Sequence, residues 1–197
     1  MTRQRFVPEF DVVAMLLSVA ALLILLFFGI GNPDILPELG IAFAFWFVGF
    51  LGPLSLGLVQ KPHGLSLGKL FGICTIAGLV ILAFFGMNFA YSAASSAQDV
   101  FMLDKAVSFA VGVSEELFFG VFLLTLLINW VGTGKLVAIV ASSAVHAVYH
   151  IPTWGSNIET LAVFFGCFLV ARTAFVYVMP KVGVILGAHG LWNVVAG

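Results

Sequence analysis

The sequence predicts an all-α fold, a polytopic transmembrane helix bundle of about seven spans, from three observations. First, 62% of its 197 residues are hydrophobic and only 9% are charged, whereas a soluble domain carries roughly 25% charged residues. Second, the apolar residues form blocks of the roughly 20 residues that a helix needs to cross a bilayer. Third, the breaks between the blocks contain the Gly, Pro, Asn and Ser typical of turns. Because lipid cannot satisfy the open edge of a sheet, every block is predicted to be a helix.

The first four spans are predicted at 11–31, 37–59, 67–93 and 104–130. The first three end where turn residues begin, at GNPDILPE, QKPHG and SSAQD. The apolar stretch of the first span is longer than that of a signal peptide and has no small-residue cleavage site. It is therefore predicted to remain in the protein as a helix.

The last three spans are predicted at 135–151, 158–178 and 181–197. GTGK precedes the first of them, IPTWGSN separates the first from the second, and Pro180 precedes the third. The short, loop-poor chain favours a multi-pass protein of a prokaryotic cell membrane, with membrane lipid as its surroundings.

The few charged residues predict an orientation and exclude some partners. The net charge is only -1, which argues against a nucleic-acid partner and against a disordered chain. If the spans alternate, Lys105 falls on one side and the other seven basic residues fall on the opposite side. These seven are Arg3, Arg5, Lys61, Lys69, Lys135, Arg172 and Lys181. The positive-inside rule then predicts a cytoplasmic N-terminus.

Glu115 and Glu116 are the exception to the rule that charges lie at span ends. They lie eleven and twelve residues into the fourth span, or about 16 Å at 1.5 Å per residue, which is near mid-membrane. An acidic side chain there costs about 2.5 to 3.5 kcal/mol on insertion scales. Two adjacent ones are predicted to face a polar cavity, which favours a functional site over a structural hydrogen-bonded pair.

Other polar residues recur at helical spacing in later spans. His146 and His150 are four residues apart in the fifth span, and His189 and Asn193 are four apart in the seventh. Residues at this spacing share a helix face. The two cysteines, Cys74 and Cys167, lie in apolar blocks and are predicted to be small core residues rather than a disulfide or a metal pair.

The order of these motifs resembles the CPBP family, also called Abi, which contains the type II CAAX prenyl endopeptidases and the bacteriocin-processing and self-immunity proteins. Its pattern is Glu-Glu-x-x-x-Arg, then Phe-x-x-x-His, then His-x-x-x-Asn. The resemblance covers 111–197 and implies a catalytic helix core there, whereas 1–110 matches only as N-terminal transmembrane helices. It implies an intramembrane peptidase without a cofactor that acts on a peptide or protein, prenylated in the type II endopeptidases. It also implies catalytic roles for Glu115, Glu116, His150, His189 and Asn193.

Two residues depart from the family pattern. Gly120 stands at the position of the arginine, so Glu116 lacks the cation that would lie on its own helix face. His146 stands at the position of the phenylalanine. Arg172 is a candidate to replace the missing donor. These departures are consistent with an active variant and with a degenerate member that keeps the scaffold.

The hairpin of the fourth and fifth spans predicts how the chemistry is arranged. The GTG turn begins seventeen residues after Glu115 and ends sixteen residues before His150. Antiparallel packing therefore brings these two side chains to a similar depth, where a glutamate and a histidine can hold and deprotonate a water. His189 and Asn193 would donate to the oxyanion. Since adjacent residues point about 100° apart on a helix, only one glutamate can face this water, and the resemblance implies Glu115.

Two alternatives stay open at this point. His146, His150 and His189 with a carboxylate would form a zinc site with an open water position, as in a metalloprotease. Alternatively, the polar residues only fix helix packing in a non-catalytic membrane scaffold or accessory subunit.

Overall fold

The computed structural model describes residues 5–31, 36–61, 99–154 and 157–196, and across these ranges the chain is helical and forms no strand. The predicted all-α fold class is confirmed. The helices are α1 (Val12–Gly31), α2 (Leu36–Ser55), α3 (99–131), α4 (Lys135–Tyr149), the short α5 (Ile151–Trp154), α6 (Ile158–Tyr177) and α7 (Val182–Ala196).

Six of these helices coincide with six of the predicted spans. The remaining predicted span, 67–93, lies outside the described residues, as do His63 and Cys74, so the total of seven stays a prediction. Within the described ranges, two helical stretches are long and apolar enough to cross a membrane, Lys105–Val131 and Ile158–Tyr177. The other four long helices contain shorter apolar stretches.

Helix α3 lies at the centre and contacts α1, α2 and α7. It begins as the α-helix Asp99–Glu116, widens into a π-helix at Leu117–Leu123, and widens again at Leu127–Val131 after one α-helical turn. Such π-helical turns occur frequently at functional sites, and the first one begins directly after the two glutamates. The predicted division of the chain at residue 110 falls inside this helix and stays a prediction.

Glycines let two neighbouring helices approach α3 closely. A Cβ atom on Gly49 of α2 would lie 2.5 Å from the backbone carbon of Leu117, and one on Gly190 of α7 would lie 2.7 Å from the ring of Phe109. Close backbone approach at small residues is a common way to pack membrane helices. These contacts place α2 and α7 on two sides of the glutamate-bearing part of α3.

Backbone hydrogen bonds tie together one end of the bundle, which we call the tied end. Glu9 donates its N–H to the carbonyl of Pro180 (2.8 Å) and accepts from the N–H of Val182 (2.9 Å). Gln60 donates its N–H to the carbonyl of Pro8 (2.8 Å) and accepts from the N–H of Phe10 (2.9 Å). The chain before α1, the chain after α2 and the start of α7 therefore meet at this end.

The GTG turn belongs to the tied end as well. Asn129, in the last turn of α3, donates its side-chain amide to the carbonyl of Phe6 at 2.7 Å and accepts from the N–H of Phe6 at 3.0 Å. Gly132 then ends α3 with φ 76°, in the left-handed region that favours glycine. Helix α4 starts here, so its far terminus, His150, lies at the opposite end of the bundle.

The described loop cations gather at the tied end, in or next to its segments: Arg5, Lys61, Lys135 and Lys181. Lys105 lies near the start of α3, at the opposite end. Arg172 is different, because it lies inside α6 and is fully buried. Counting Arg172 among the basic residues on one side of the membrane was therefore wrong, and the predicted orientation rests on fewer residues.

Candidate active site

The five residues predicted to be catalytic line one cavity of about 1220 Å³. Glu115 and Glu116 reach it from α3, His150 from the C-terminal end of α4, and His189 and Asn193 from α7. Both glutamates are almost fully buried, with 3% and 2% of their surface exposed. The structure therefore places these side chains around one cavity, whereas their catalytic roles stay predictions.

Glu115 faces three histidines. Its Oε2 lies 3.7 Å from His146 Nε2, 3.9 Å from His150 Nε2 and 3.7 Å from His189 Nε2. The Glu115 oxygen and the Nε2 atoms of His146 and His150 are buried and have no hydrogen-bond partner among the described residues. Polar atoms that converge without touching one another leave room for a small polar species between them.

Glu116 also lines the cavity, but its carboxylate is paired. Its Oε2 lies 2.9 Å from His189 Nδ1, and its Oε1 lies 3.4 Å from Arg172 Nε. Arg172 Nη2 also approaches Glu116 Oε2 at 3.5 Å. The expectation that Arg172 supplies the cation missing from the helix of Glu116 is confirmed by these contacts.

Gly120 makes room for this pair. The carboxylate of Glu116 folds back over Gly120, so that a Cβ atom at residue 120 would overlap Glu116 Oε1. An arginine at 120 would therefore collide with Glu116 in its present conformation. The glycine and the distant arginine are two parts of one arrangement.

Aromatic rings hold the two histidines of α4. His146 lies between Phe168 and Phe119, with ring centroids 3.9 Å and 4.3 Å away and the rings nearly parallel. His150 stacks on Phe164 at 5.1 Å. The three sequence motifs do not include these phenylalanines. The available signal is their spacing, since Phe164, Phe168 and Arg172 recur every four residues and so share a face of α6.

Asn193 lies farther along the cavity wall. Its side-chain amide donates to the carbonyl of Ser108 at 3.3 Å, which leaves its second N–H for another acceptor. Gly112 lies beneath it, and a Cβ atom there would be 2.6 Å from Asn193 Nδ2. A glycine on α3 thus allows the amide to lie between α3 and α7.

The rest of the cavity is mainly apolar. Val107 and Val111 of α3, Val163 of α6 and Ile185 of α7 contribute to its wall. Cys167 also lines it and is an exposed free thiol, so its predicted place in the core was wrong. The lining includes Pro152 and Glu159, which places the cavity towards the end of the bundle opposite the tied end.

Among the described residues, two groups of side chains have ligand atoms close enough to share a metal ion. They are Glu115, His146 and His150, and Glu116, His146 and His189, with all ligand atoms in each group within 4.8 Å of one another. The three histidines predicted as zinc ligands therefore divide between two groups, and both groups need His146.

Residues 99–195 match the family model described as type II CAAX prenyl endopeptidase Rce1-like. The match begins at the first residue of α3 and includes every residue predicted to be catalytic. It confirms the resemblance to the CPBP family inferred from the three motifs. No match to a curated protein or to a solved structure was found.

Proposed function

Because residues 99–195 match the family model described as type II CAAX prenyl endopeptidase Rce1-like, we propose that the chain is an intramembrane endopeptidase in which Glu115 and His150 activate water. The observation that carries this proposal is the approach of Glu115 Oε2 to His150 Nε2 at 3.9 Å, both buried and without a hydrogen-bond partner among the described residues. Two hydrogen bonds of about 2.8 Å that meet at one water hold their outer atoms about 4.0 to 4.6 Å apart. The observed distance is close to this range.

In the proposed reaction Glu115 is the general base. Its carboxylate takes a proton from the water while the hydroxide oxygen bonds to the carbonyl carbon of the scissile peptide. The tetrahedral intermediate then collapses, the C–N bond breaks, and the proton passes from Glu115 to the leaving amine. His150 forms a hydrogen bond to the water through Nε2 and makes no covalent bond to the substrate.

His189 and Asn193 are proposed to stabilise the oxyanion. Glu116 accepts a hydrogen bond from His189 Nδ1 at 2.9 Å, so His189 presents Nε2 to the cavity, where its imidazolium form donates. The second N–H of Asn193 supplies the other donor. Preorganised donors of this kind are often the largest single contribution to peptide hydrolysis.

Arg172 favours a metal-free reaction over the zinc alternative. Its Nη2 lies 2.7 Å from His146 Nδ1, and because arginine only donates, neutral His146 accepts at Nδ1 and carries its proton on Nε2. A protonated Nε2 cannot bind a metal, and Nδ1 is already occupied. Since both groups with metal spacing need His146, neither fits a zinc ion while Arg172 holds this histidine.

The proposal is tested by following cleavage of fluorogenic peptides by the detergent-purified protein, with prenylated and unprenylated versions of each peptide. Cleavage that is lost when Cys167 is alkylated, in a Cys74→Ala background, would place the substrate in this cavity. If no peptide is cleaved and Glu115→Gln changes only stability, the protein is a non-catalytic membrane scaffold and the proposal is wrong.

We also propose a cytoplasmic N-terminus, with the tied end in the cytoplasm and the cavity towards the outer half of the bilayer. The support is the set of loop cations at the tied end, Arg5, Lys61, Lys135 and Lys181. Single cysteines at Thr133→Cys and Asn157→Cys, in a Cys74→Ala, Cys167→Ala background, report the two ends. Labelling of only the residue 157 reporter by an impermeant reagent in intact cells would support this orientation and count against a cytosolic prenylated substrate. Labelling of the residue 133 reporter would overturn it.

A further inference from the structure

We infer that Arg172 is a positioning residue for this site, which holds Glu116 as a carboxylate and His146 in one tautomer. Gly120, His146 and Arg172 are coupled, because together they replace the arginine and the phenylalanine of the family pattern. The kinetic part of this inference rests on the proposed function, whereas the spectroscopic part does not.

The first step is the burial of Arg172. It is fully buried in α6, and its guanidinium lies over the ring of Phe168 at 5.2 Å. A buried arginine is stable only with an ionised partner, and in the described structure its ion pair is with Glu116. The charge of one fixes the charge of the other, across 56 residues of sequence.

The second step is the link to the cavity through His146. The hydrogen bond from Arg172 to Nδ1 places the His146 proton on Nε2, the atom that lies 3.7 Å from Glu115 Oε2. The Phe168 and Phe119 rings on either side prevent the imidazole from turning away. Arg172 thereby directs an N–H donor towards the proposed base without touching the substrate itself.

The third step is the coupling of the three positions. A phenylalanine at 146 would leave Arg172 Nη2 without its 2.7 Å acceptor, and a side chain at 120 would overlap the carboxylate of Glu116. Each motif residue of the family is therefore incompatible with the arrangement found here. If the arginine at 120 and the phenylalanine at 146 were restored together and Arg172 were removed, residue 120 would supply the cation for Glu116 instead.

The spectroscopic test is ¹⁵N NMR of histidine-labelled protein in detergent micelles, with the His146 signals assigned from His146→Phe. The expected result is a neutral His146 protonated at Nε2, and loss of this single tautomer in Arg172→Lys, which keeps the charge but not the planar fork. His146 protonated at Nδ1 in the unaltered protein, or an unchanged tautomer in Arg172→Lys, would overturn the inference. This readout holds even if no peptide is ever cleaved.

The kinetic test compares Arg172→Met with the triple variant Gly120→Arg, His146→Phe, Arg172→Met. We expect Arg172→Met and Gly120→Arg each to lower kcat at least ten-fold, and the triple variant to recover at least ten-fold over Arg172→Met. Lys181→Met, which removes an exposed cation at the tied end, is the charge control and should leave kcat unchanged. A triple variant no more active than Arg172→Met would show that the three positions are not coupled.

Discussion

Two layers of the same polar cluster differ in ion pairing, because the buried arginine lies in only one of them. The inner layer consists of Glu116, His146 and Arg172, in which Arg172 bridges the carboxylate and His146 Nδ1. The cavity layer consists of Glu115 and His150, whose facing oxygen and nitrogen have no hydrogen-bond partner in the described part of the chain. His189 connects the layers, with Nδ1 on Glu116 and Nε2 towards Glu115.

The difference shows how adjacent, chemically identical residues acquire different tasks. Glu115 and Glu116 are separated by about 100° around α3, so their carboxylates meet different partners in the cavity wall. Glu115 faces three histidines, whereas Glu116 pairs with Arg172 of α6 and His189 of α7. In a membrane interior an ionised carboxylate needs a partner, and the inner layer provides it for Glu116. Because Arg172 is paired with Glu116, Glu115 Oε2 has no hydrogen-bond partner among the described residues and is open to a water.

The largest expected effect distinguishes the layers by activity. We expect Glu115→Gln to lower kcat by about 10² to 10⁴, the usual contribution of a general base, with little change in thermal unfolding. Glu9→Gln, the same change at the exposed tied end, is the control and should retain full activity. Retention of more than a tenth of the activity by Glu115→Gln would remove Glu115 from the reaction.

The same substitution in the inner layer should act on stability. Glu116→Gln leaves Arg172 buried without an ionised partner, which costs about 3 to 5 kcal/mol of unfolding free energy. The measurement is unfolding in detergent, followed by intrinsic fluorescence, for both glutamine variants. If Glu115→Gln destabilised the protein as much as Glu116→Gln, the distinction between the layers would be wrong.

A smaller loss of activity is expected for Asn193, which lies farther along the cavity wall. Asn193→Ala should lower kcat by about 10² to 10³ with little change in KM, because the oxyanion donor acts only in the transition state. Asn129→Ala, which removes an amide at the tied end, serves as the matched control and should change stability but not kcat. An increase in KM alone would make Asn193 a substrate-binding residue.

The last prediction is that removing metal ions has no effect on cleavage. Strong chelators should leave cleavage intact and no stoichiometric zinc should co-purify, because Arg172 occupies the histidine that both metal-spaced groups need. Metal analysis of the purified protein and assays with and without chelator measure this. Activity lost in chelator and restored by zinc would replace the water mechanism with a metalloprotease.

The sequence by itself determined the helical class and indicated which polar side chains line the cavity. Hydropathy and turn residues are local signals, so six of the predicted spans coincide with helices among the described residues. The equal distances of Glu115 and His150 from the GTG turn are also local, and they predicted that these two side chains meet. That His189 joins them was implied by the family resemblance. The division at residue 110 and the proposed orientation remain predictions.

Only the tertiary structure decided the partners across helices. Arg172 counts in the sequence as one more basic residue for orientation, yet it lies buried against Glu116 and His146, 56 and 26 residues away along the chain. Cys167 has an apolar sequence context but faces the cavity, because α6 contacts its neighbours along only part of its surface. The space over Gly120 is likewise set by where the Glu116 carboxylate turns to meet α6. Such pairings depend on which helix faces lie together, and no periodicity within a single helix encodes that.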